Sequence, residues 1–207
     1  MEGFSDGVFA VAITVLVFNL LPIGADAHTG DSLTSALLDG WPQYASYAIS
    51  FLTIGIMWVN HHTMAAHLRC VDRWMLLLNL LLLLGVVALP FPTALVASAL
   101  RDGTAGAAVV ATVAYGLTMI AISVAFASMW LYLTARQYDL ARAPMPMQGY
   151  TRLRFTGGLF GYGLGVLAAA FWTAAAGLII YALLAVYYVF NNLPTPLAAE
   201  EAAGDGR

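Results

Sequence analysis

The sequence predicts an all-α integral membrane protein, and three observations lead to that fold class. Of the 207 residues, 61% are hydrophobic and only 9% are charged, which is too apolar for a soluble domain of this size. The apolar residues form runs long enough to cross a bilayer as helices. Trp41, Tyr44 and Tyr47 stand at the beginning of one such run, where interfacial aromatic anchors commonly lie.

The first predicted span runs from Phe4 to Leu21, immediately before Pro22. At 1.5 Å per residue it covers roughly 28 Å, close to the thickness of the hydrocarbon core. No basic region precedes this run and no small-residue cleavage site follows it, so we expect the helix to stay in the mature protein. One acid, Asp6, lies near its start and needs a partner from another helix, because an unpaired carboxylate in lipid is costly.

Five further spans are predicted, at about residues 41–62, 74–100 and 107–133 and as two helices within 155–190 that are joined near 172–176. Pro90 and Pro92 should kink or break the third span. Six spans place both termini on one side of the membrane, together with every arginine except Arg101, and this bias predicts cytoplasmic termini in the cell membrane. We expect residues 1–193 to form the transmembrane domain and 194–207 a disordered cytoplasmic tail.

Charge and cysteine content exclude several classes of protein. The formal net charge is −3 and the eight basic residues form no continuous basic run, so no nucleic-acid partner is expected. Cys70 is the only cysteine, which excludes an internal disulfide and argues against a structural zinc cage. The loop after the first span carries Asp26, Asp31 and Asp39, which either form an ordinary solvated loop or, repeated around a symmetric mouth, concentrate cations.

One face of the first helix carries an apolar stripe. A helical wheel puts Val11, Val15 and Phe18 within about 60° of one another, with Thr14 at the edge of the stripe. Asp6, Ile13 and Leu20 point to roughly the opposite side. The stripe is either ordinary packing inside a helix bundle or the lining of an axis shared by several subunits, and periodicity alone leaves both interpretations open.

Three blocks of sequence bear on that choice: Phe4-Ser5-Asp6-Gly7-Val8-Phe9-Ala10 with Ala12-Ile13-Thr14, Gly55-Ile56-Met57-Trp58-Val59-Asn60-His61-His62, and Leu78-Asn79-Leu80 with Leu89-Pro90-Phe91-Pro92-Thr93. Together they closely resemble the transmembrane-protein-175 family of potassium channels, in its prokaryotic six-helix branch. The family pattern also has an arginine four residues before the Phe, a position that would precede Met1 here. The resemblance implies a homotetramer in which the first helix of each subunit lines a central pore. It also implies a passive potassium pathway through apolar side chains, and the sequence contains no Thr-Val-Gly-Tyr-Gly carbonyl filter.

The resemblance also assigns roles to particular residues. The constriction position, five residues after the Asp, is usually Ile or Leu in the family and is Val11 here, so a wider neck is expected. Thr14 would add a hydroxyl ring, Val15 would continue the apolar wall, and Phe18 would form a second gate further out. The residues expected to hold the pore helix in a hydrogen-bonded network, with Asp6 and Ser5 paired to histidine or asparagine, are Phe4, Ser5, Asp6, His61, His62 and Asn79.

Two other functions compete with a channel. A small secondary transporter would use the proline-broken third helix to bind its substrate, although no paired broken helix is predicted. An intramembrane metal-dependent enzyme would use His61, His62 and His67, but adjacent histidines on a helix point about 100° apart. We therefore expect no catalytic residues, no metal site and no cofactor. The expected partners are other copies of the chain, the lipid bilayer, and permeant potassium and other monovalent cations.

Overall fold

The computed structural model describes residues 1–25, 28–141 and 148–190, and for residues 148–156 it describes the backbone alone. Within these ranges the chain is helical, and the only β-type pairing is an isolated antiparallel bridge between Leu68 and Ala141. The helices are α1 Glu2–Val15, continued by a 3₁₀-helix Leu16–Leu20, then α2 Gly30–Asp39, α3 Trp41–Ala66, α4 Arg73–Ala88, α5 Pro90–Asp102, α6 Ala105–Ala135, α7 Gln137–Leu140, α8 Gln148–Phe171 and α9 Ala174–Phe190.

Three helical segments of the described chain are long and apolar enough to cross a membrane: Glu2–Leu20, Arg73–Asp102 and Ala105–Ala135. Two shorter apolar helices are Gly157–Phe171 and Ala174–Phe190. The 26-residue α3 has sufficient length and turns much of its polar content inward, as the buried side chains Gln43, Ser50, Thr53, His61 and Thr63 show. The all-α membrane architecture agrees with the sequence prediction, and the number of spans stays a prediction.

The first span changes its winding before it ends. It is α-helical from Glu2 to Val15 and becomes a 3₁₀-helix at Leu16, whereas the sequence predicted one continuous helix to Leu21. Short 3₁₀ segments are common at the ends of α-helices, and Pro22 follows shortly after this one. The tighter winding brings side chains three residues apart into line.

The predicted proline break is found between α4 and α5. Pro90 has no amide hydrogen to give, and the chain turns at Leu89, whose N–H bonds to the Val86 carbonyl at 3.2 Å. A side chain from the first span meets this break, because Asn19 Nδ2 lies 3.5 Å from the Pro90 carbonyl oxygen. The 3₁₀ end of the first span and the proline break of the third therefore contact each other inside the protein.

Two connections contain helices that sequence patterns did not predict. The polar loop after the first span includes α2, which begins at a capping box where the Thr29 hydroxyl accepts from the Ser32 N–H and Ser32 returns a bond to the Thr29 backbone. The long polar connection predicted for residues 136–154 contains the short α7 and the beginning of α8. The turn between α8 and α9 is tighter than expected and occupies residues 172–173.

Helices α6, α8 and α9 pack closely at glycine notches, which are positions where a glycine of one helix leaves room for a large side chain of another. Tyr181 of α9 lies between Gly116 of α6 and Gly165 of α8, and a Cβ at either glycine would overlap the tyrosine ring or its hydroxyl. Gly161 makes similar room for Leu184. Small residues that admit a large side chain from a neighbouring helix are a common way to pack helices in membranes, as expected for this glycine-rich segment.

Candidate functional site

The face of α1 that points away from the rest of the subunit is almost entirely apolar. Val11 is 56% exposed and Phe18 is 61% exposed, and Val15 is exposed between them. The opposite face of the same segment is covered, with exposures of at most 2% for Ser5, Phe9, Ala12 and Leu16. An apolar row that a single subunit leaves uncovered in a membrane faces either lipid or further copies of the chain.

The change to 3₁₀ winding straightens this row. Side chains at i and i+3 eclipse one another in a 3₁₀-helix, and Val15, Phe18 and Leu21 are spaced in this way. All three are exposed. The row therefore runs along the axis of the segment instead of winding around it.

Thr14 adds a hydroxyl to the exposed side. Its Oγ1 donates to the Val11 carbonyl at 2.9 Å, so the hydroxyl hydrogen is used inside the helix. A hydroxyl oxygen has two lone pairs that donation leaves free. The Thr14 oxygen can therefore offer electron density to a cation while its hydrogen points elsewhere.

Behind the exposed row, three buried polar side chains from α1, α3 and α4 form a hydrogen-bonded chain. Asn79 Nδ2 donates to Ser5 Oγ at 3.0 Å, and Ser5 Oγ in turn donates to the Met1 carbonyl at 3.2 Å. His61 Nε2 lies 2.8 Å from Asn79 Oδ1. Ser5 and His61 are completely buried and Asn79 is 2% exposed. These bonds tie the N-terminal part of α1 to both neighbouring helices.

The same chain fixes the tautomer of His61. The amide oxygen of Asn79 can only accept a hydrogen bond, so His61 Nε2 must carry the proton that it donates. His61 Nδ1 then holds a lone pair, and it has no hydrogen-bond partner among the described residues. The Phe9 ring, with its centroid 5.4 Å from that of His61, covers the imidazole from the α1 side. The hydrogen-bonding capacity of His61 Nε2 is therefore satisfied by Asn79, whereas the α1 side of the ring is covered by the apolar Phe9.

Asp6 pairs with a tryptophan. Trp58 Nε1 donates to Asp6 Oδ1 at 2.8 Å, and this is the carboxylate's hydrogen bond in the structure. The expectation that Asp6 would bond to histidine or asparagine is therefore corrected, whereas Ser5 does bond to Asn79. Helix geometry gives the reason, because Asp6 lies about 100° around α1 from Ser5 and meets the outer side of α3.

Phe4 and His62 also lie outside the buried network with which they were grouped. Phe4 is 62% exposed and shares the side of Val11, since it too is rotated about 100° from Ser5. His62 is turned away from His61 for the same reason, and its Nδ1 lies 3.1 Å from Glu2 Oε1 at an exposed site. The Trp58 and His62 rings are 5.7 Å apart, so Asp6, Trp58, His62 and Glu2 form a second, partly exposed cluster beside the buried one.

The histidines considered for a metal site do not converge. His67 Nδ1 donates to the Thr63 carbonyl of its own helix at 2.8 Å, and its ring meets the edge of Trp130. Within the ranges that the structure describes, no three His, Cys, Asp or Glu side chains are grouped closely enough to hold a metal ion. The geometry therefore offers the metal-enzyme interpretation no ligand set there.

The acids expected at the outer mouth are only partly described. Asp31 and Asp39 are exposed at the two ends of α2, and Asp39 Oδ2 accepts from Ser35 Oγ at 3.1 Å. Asp26 lies outside the described residues. The two visible acids sit on a helix, which fixes their spacing more firmly than a loop would.

Comparison with known proteins decides the family. A family profile described as "TMEM175: Endosomal/lysosomal potassium channel TMEM175" matches residues 1–90. A relative from Streptomyces collinus named "Potassium channel B446_29190" is 45% identical over 198 residues, which cover 95% of this chain and 93% of the relative. The chain belongs to the TMEM175 family.

Two further comparisons support the TMEM175 assignment. A relative from Chamaesiphon minutus named "Potassium channel Cha6605_3372" is 37% identical over 142 residues, covering 69% of this chain and 68% of the relative. The crystal structure of "a lysosomal potassium-selective channel TMEM175 homolog from Chamaesiphon Minutus" superposes with a TM-score of 0.78 at 30% identity, over 91% of this chain and 94% of that one. The names of these relatives describe channels, not enzymes.

Sequence reasoning missed several contacts in this TMEM175-family chain. Trp58 stands inside a motif that was recognised, yet its role as the donor to Asp6 was not inferred. A search for a donor-only side chain on the facing helix would have found it, because an acid at this depth requires a donor. Glu2 was missed because it precedes the recognised block.

A further contact missed from sequence closes the end of the bundle near Asp72. Asp72 caps α4 by accepting from the Met75 N–H at 2.8 Å, and it also accepts from the Tyr132 hydroxyl of α6. These bonds, chiefly the one from Tyr132, lower the pKa of the Asp72 carboxyl. Nearby, the Arg69 N–H donates to the Leu140 carbonyl at 2.7 Å and extends the bridge between Leu68 and Ala141. The connections after α3 and after α6 are thus joined to each other.

Proposed function

We propose that the chain is one subunit of a potassium-permeable cation channel of the cell membrane, assembled as a homotetramer with α1 of each subunit innermost. The observation that carries this proposal is the uncovered apolar row of α1 at Val11, Val15 and Phe18. Two relatives named as potassium channels, one matched over 95% of this chain and one over 69%, support the interpretation of this row as a pore lining.

Several copies are required because one chain offers a single row. A pathway for an ion must be enclosed on all sides, and α1 presents one exposed face about 100° wide. Repetition of that face around an axis would enclose a passage whose wall is formed by the same residue at each level. The family resemblance implies fourfold symmetry. A ring of four identical subunits is a closed assembly, so it does not add further subunits.

Permeation would depend on partial dehydration at an apolar neck. Val11 forms the narrowest layer, Thr14 supplies hydroxyl oxygens one turn outward, and Val15 and Phe18 extend the apolar wall. An apolar constriction disfavours the more tightly hydrated sodium ion relative to potassium, because the ion must give up water to pass. The free lone pairs of Thr14 would replace part of the lost hydration.

The buried chain of Ser5, Asn79 and His61 would hold α1 at a fixed tilt. It bonds the inner end of α1 to α3 and α4 on the side opposite the row, so it acts on the position of the pore wall without touching the ion. The pair of Asp6 with Trp58 would fix the rotation of the same helix. Polar groups buried in a membrane protein that satisfy one another resist displacement because breaking them leaves unpaired atoms.

The proposed orientation places both termini in the cytoplasm and gives the chain six spans: α1 with its 3₁₀ extension, α3, the broken pair α4 and α5, α6, α8 and α9. Residues 1–193 then form the channel domain, and the tail 194–207 lies beyond the described residues. In this orientation Asp26, Asp31 and Asp39 surround the outer mouth, where repeated carboxylates would raise the local cation concentration.

Cysteine cross-linking tests the assembly. In a Cys70→Ser background, Val11→Cys or Phe18→Cys should form disulfide-linked dimers under mild oxidation in membranes, because equivalent residues face one axis. Ile13→Cys is the matched control on the packed side of α1 and should not link. Linkage from Ile13 instead of Val11 would contradict the proposed orientation of α1, and a conducting monomer in detergent-reconstituted vesicles would contradict the assembly.

A further inference from the structure

A groove of about 380 Å³ lies between α3 and α9, away from the exposed row of α1. One wall is the first turns of α3 and the other is the first half of α9, while α5 and Tyr115 of α6 form the floor. Small side chains on the walls, Ala45, Ala175 and Ala182, create the space. The groove is therefore built into the packing of four helices.

The length of the groove matches one leaflet of a bilayer. Along α3 it extends from Trp41, at the end of the helix, to Ser50. At 1.5 Å per residue this is about 13 Å, close to half of the roughly 30 Å hydrocarbon core. An occupant that enters at the Trp41 end would reach the middle of the membrane at Ser50.

Three hydroxyl groups in the groove already use their hydrogens. Thr93 Oγ1 donates to the Leu89 carbonyl at 2.9 Å, so Ser50 Oγ is the donor in its 2.9 Å contact with Thr93 Oγ1. The Tyr181 hydroxyl lies 3.4 Å from the Thr112 carbonyl. Water requires several polar partners to occupy a cavity, and the rest of the lining consists mostly of alanine, larger aliphatic and aromatic side chains. An apolar occupant suits the groove better, since empty apolar walls forfeit dispersion contacts.

A basic side chain lies beside the groove residues Leu100 and Pro42. Arg101 follows the wall residue Leu100, and its Nε lies 3.5 Å from an Asp102 oxygen. Its Nη1 lies 3.1 Å from the side-chain amide of Gln43, which accepts through its oxygen when the amide is oriented to satisfy its hydrogen bonds. A guanidinium has five N–H donors, so these two contacts leave others for an anion. Arg101 is also the arginine that the predicted topology separates from all the rest. A phosphate at the membrane surface complements this position in charge and depth.

We propose that this groove binds one acyl chain of an anionic phospholipid, with the lipid phosphate against Arg101. α1 packs on α3 and α4, whereas α9 packs on α8, α6 and α3, and the groove is lined by residues of α3, α5, α6 and α9 and by none of the exposed row. This step rests on the proposed central position of α1, which leaves the groove at the periphery of the assembly, open to lipid. The site is independent of the ion pathway, so its loss and the loss of conduction are separate results.

Photo-cross-linking in vesicles tests the binding. The full chain is reconstituted in phosphatidylcholine containing a small fraction of phosphatidylglycerol with a mid-chain diazirine, and labelled peptides are mapped by mass spectrometry. Labelling should concentrate on groove residues such as Ile49 and Ile179. Ala45→Phe, or Ala182→Phe on the opposite wall, should abolish that labelling by filling the space, whereas Ala48→Phe, exposed on the same helix outside the groove, should not.

A variant of Arg101 tests the proposed contact with the lipid phosphate. Arg101→Gln should lower groove labelling by about fivefold, the factor that one basic side chain contributes near an anionic surface. The same labelling with a phosphatidylcholine probe should be weaker in the wild-type protein and insensitive to Arg101→Gln. Uniform labelling of all exposed faces, or groove labelling unchanged by both alanine variants, would overturn the proposal. A groove closed by a neighbouring subunit, seen as an unlabelled groove and a disulfide between subunits from Ile179→Cys in the Cys70→Ser background, would also overturn it.

Discussion

Asn79 of α4 donates to Ser5 of α1 over 3.0 Å while its amide oxygen lies 2.8 Å from His61 of α3, so one side chain joins three helices. Asn79→Ala should therefore destabilise the protein more than any of these bonds alone would suggest. It leaves the buried His61 Nε2–H without an acceptor, at a cost of about 1–3 kcal/mol, and it removes one hydrogen bond of Ser5 Oγ, which keeps its bond to the Met1 carbonyl. Thermal unfolding of the purified protein in detergent measures the loss.

A rescue experiment separates lost bonds from lost packing. Replacement of both partners of a buried bond by apolar groups can be nearly neutral. The double variant His61→Leu with Asn79→Leu should thus recover part of the stability that Asn79→Ala loses, because Ser5 keeps its bond to the Met1 carbonyl. Ser98→Ala, which removes only an exposed local bond to Leu95, is the control and should be close to wild type. A melting temperature equal for Asn79→Ala and Ser98→Ala would show that the chain of bonds contributes nothing.

The pair of Asp6 and Trp58 makes a prediction about coupling. Trp58→Phe removes only the donor to Asp6, and Asp6→Asn removes the charge of the acceptor. Each should alter open probability or expression more than ion selectivity, because the pair lies off the exposed row. The double variant should be little worse than either single one if the two residues act through their mutual bond. Fully additive effects in single-channel recordings would instead mean that the two residues act separately.

The sequence predicted the helical membrane fold, the proline break and three residues of the buried network, Ser5, His61 and Asn79, because these depend on local signals. Hydropathy, a missing amide hydrogen at Pro90 and a recognisable motif are all visible in one chain. The sequence did not predict that Asp6 bonds to Trp58 or that His62 turns to Glu2, because partner choice depends on the rotation of α1 against α3. A wheel places Asp6 on a side of its helix without saying which atom of the neighbour meets it.

The 3₁₀ winding that follows α1 could not be predicted for a related reason. α-helical and 3₁₀ turns have the same apolar composition, and the choice at Leu16 is made where the segment packs against α3 and α5. The groove beside α9 also arises from tertiary packing. Alanines at 45, 175 and 182 are unremarkable in a membrane helix until the structure brings them to one space.

The glycine notches of α8 predict opposite effects for two similar substitutions. Gly165→Ala should destabilise the protein by about 1–3 kcal/mol, because the new methyl group overlaps Tyr181 and forces the ring to move. Gly163→Ala, two residues away, meets no atom within 4 Å and should be neutral or stabilising by up to about 1 kcal/mol through helix propensity. The order of the two melting temperatures checks this, and a reversed order would contradict the packing of α9 on α8.

The bond between Tyr132 and Asp72 predicts a dependence on pH. It lowers the pKa of Asp72 below its ordinary value of 3.8, so the folded state favours the ionised carboxyl. The resulting stability is present above pH 3.8 and is lost as the pH falls through the lowered pKa. Tyr132→Phe should therefore melt below wild type at pH 7, and the difference should shrink on acidification below pH 4 (about the ordinary carboxyl range). A difference that stays constant as the pH falls well below the ordinary carboxyl range would mean that the carboxyl is not involved.

The most direct test of the central claim, that the exposed row of α1 lines the ion pathway, is the reversal potential of reconstituted channels under potassium, sodium and caesium gradients. Val11→Ala should raise sodium permeability relative to potassium by widening the neck, and Val11→Asn should increase leak by wetting it. Thr14→Val should lower selectivity or conductance, because it removes the hydroxyl oxygens beside the row. Ile13→Ala, on the packed side, should change neither property. Reversal potentials that stay fixed across the Val11 and Thr14 variants and shift with Ile13 would contradict the claim.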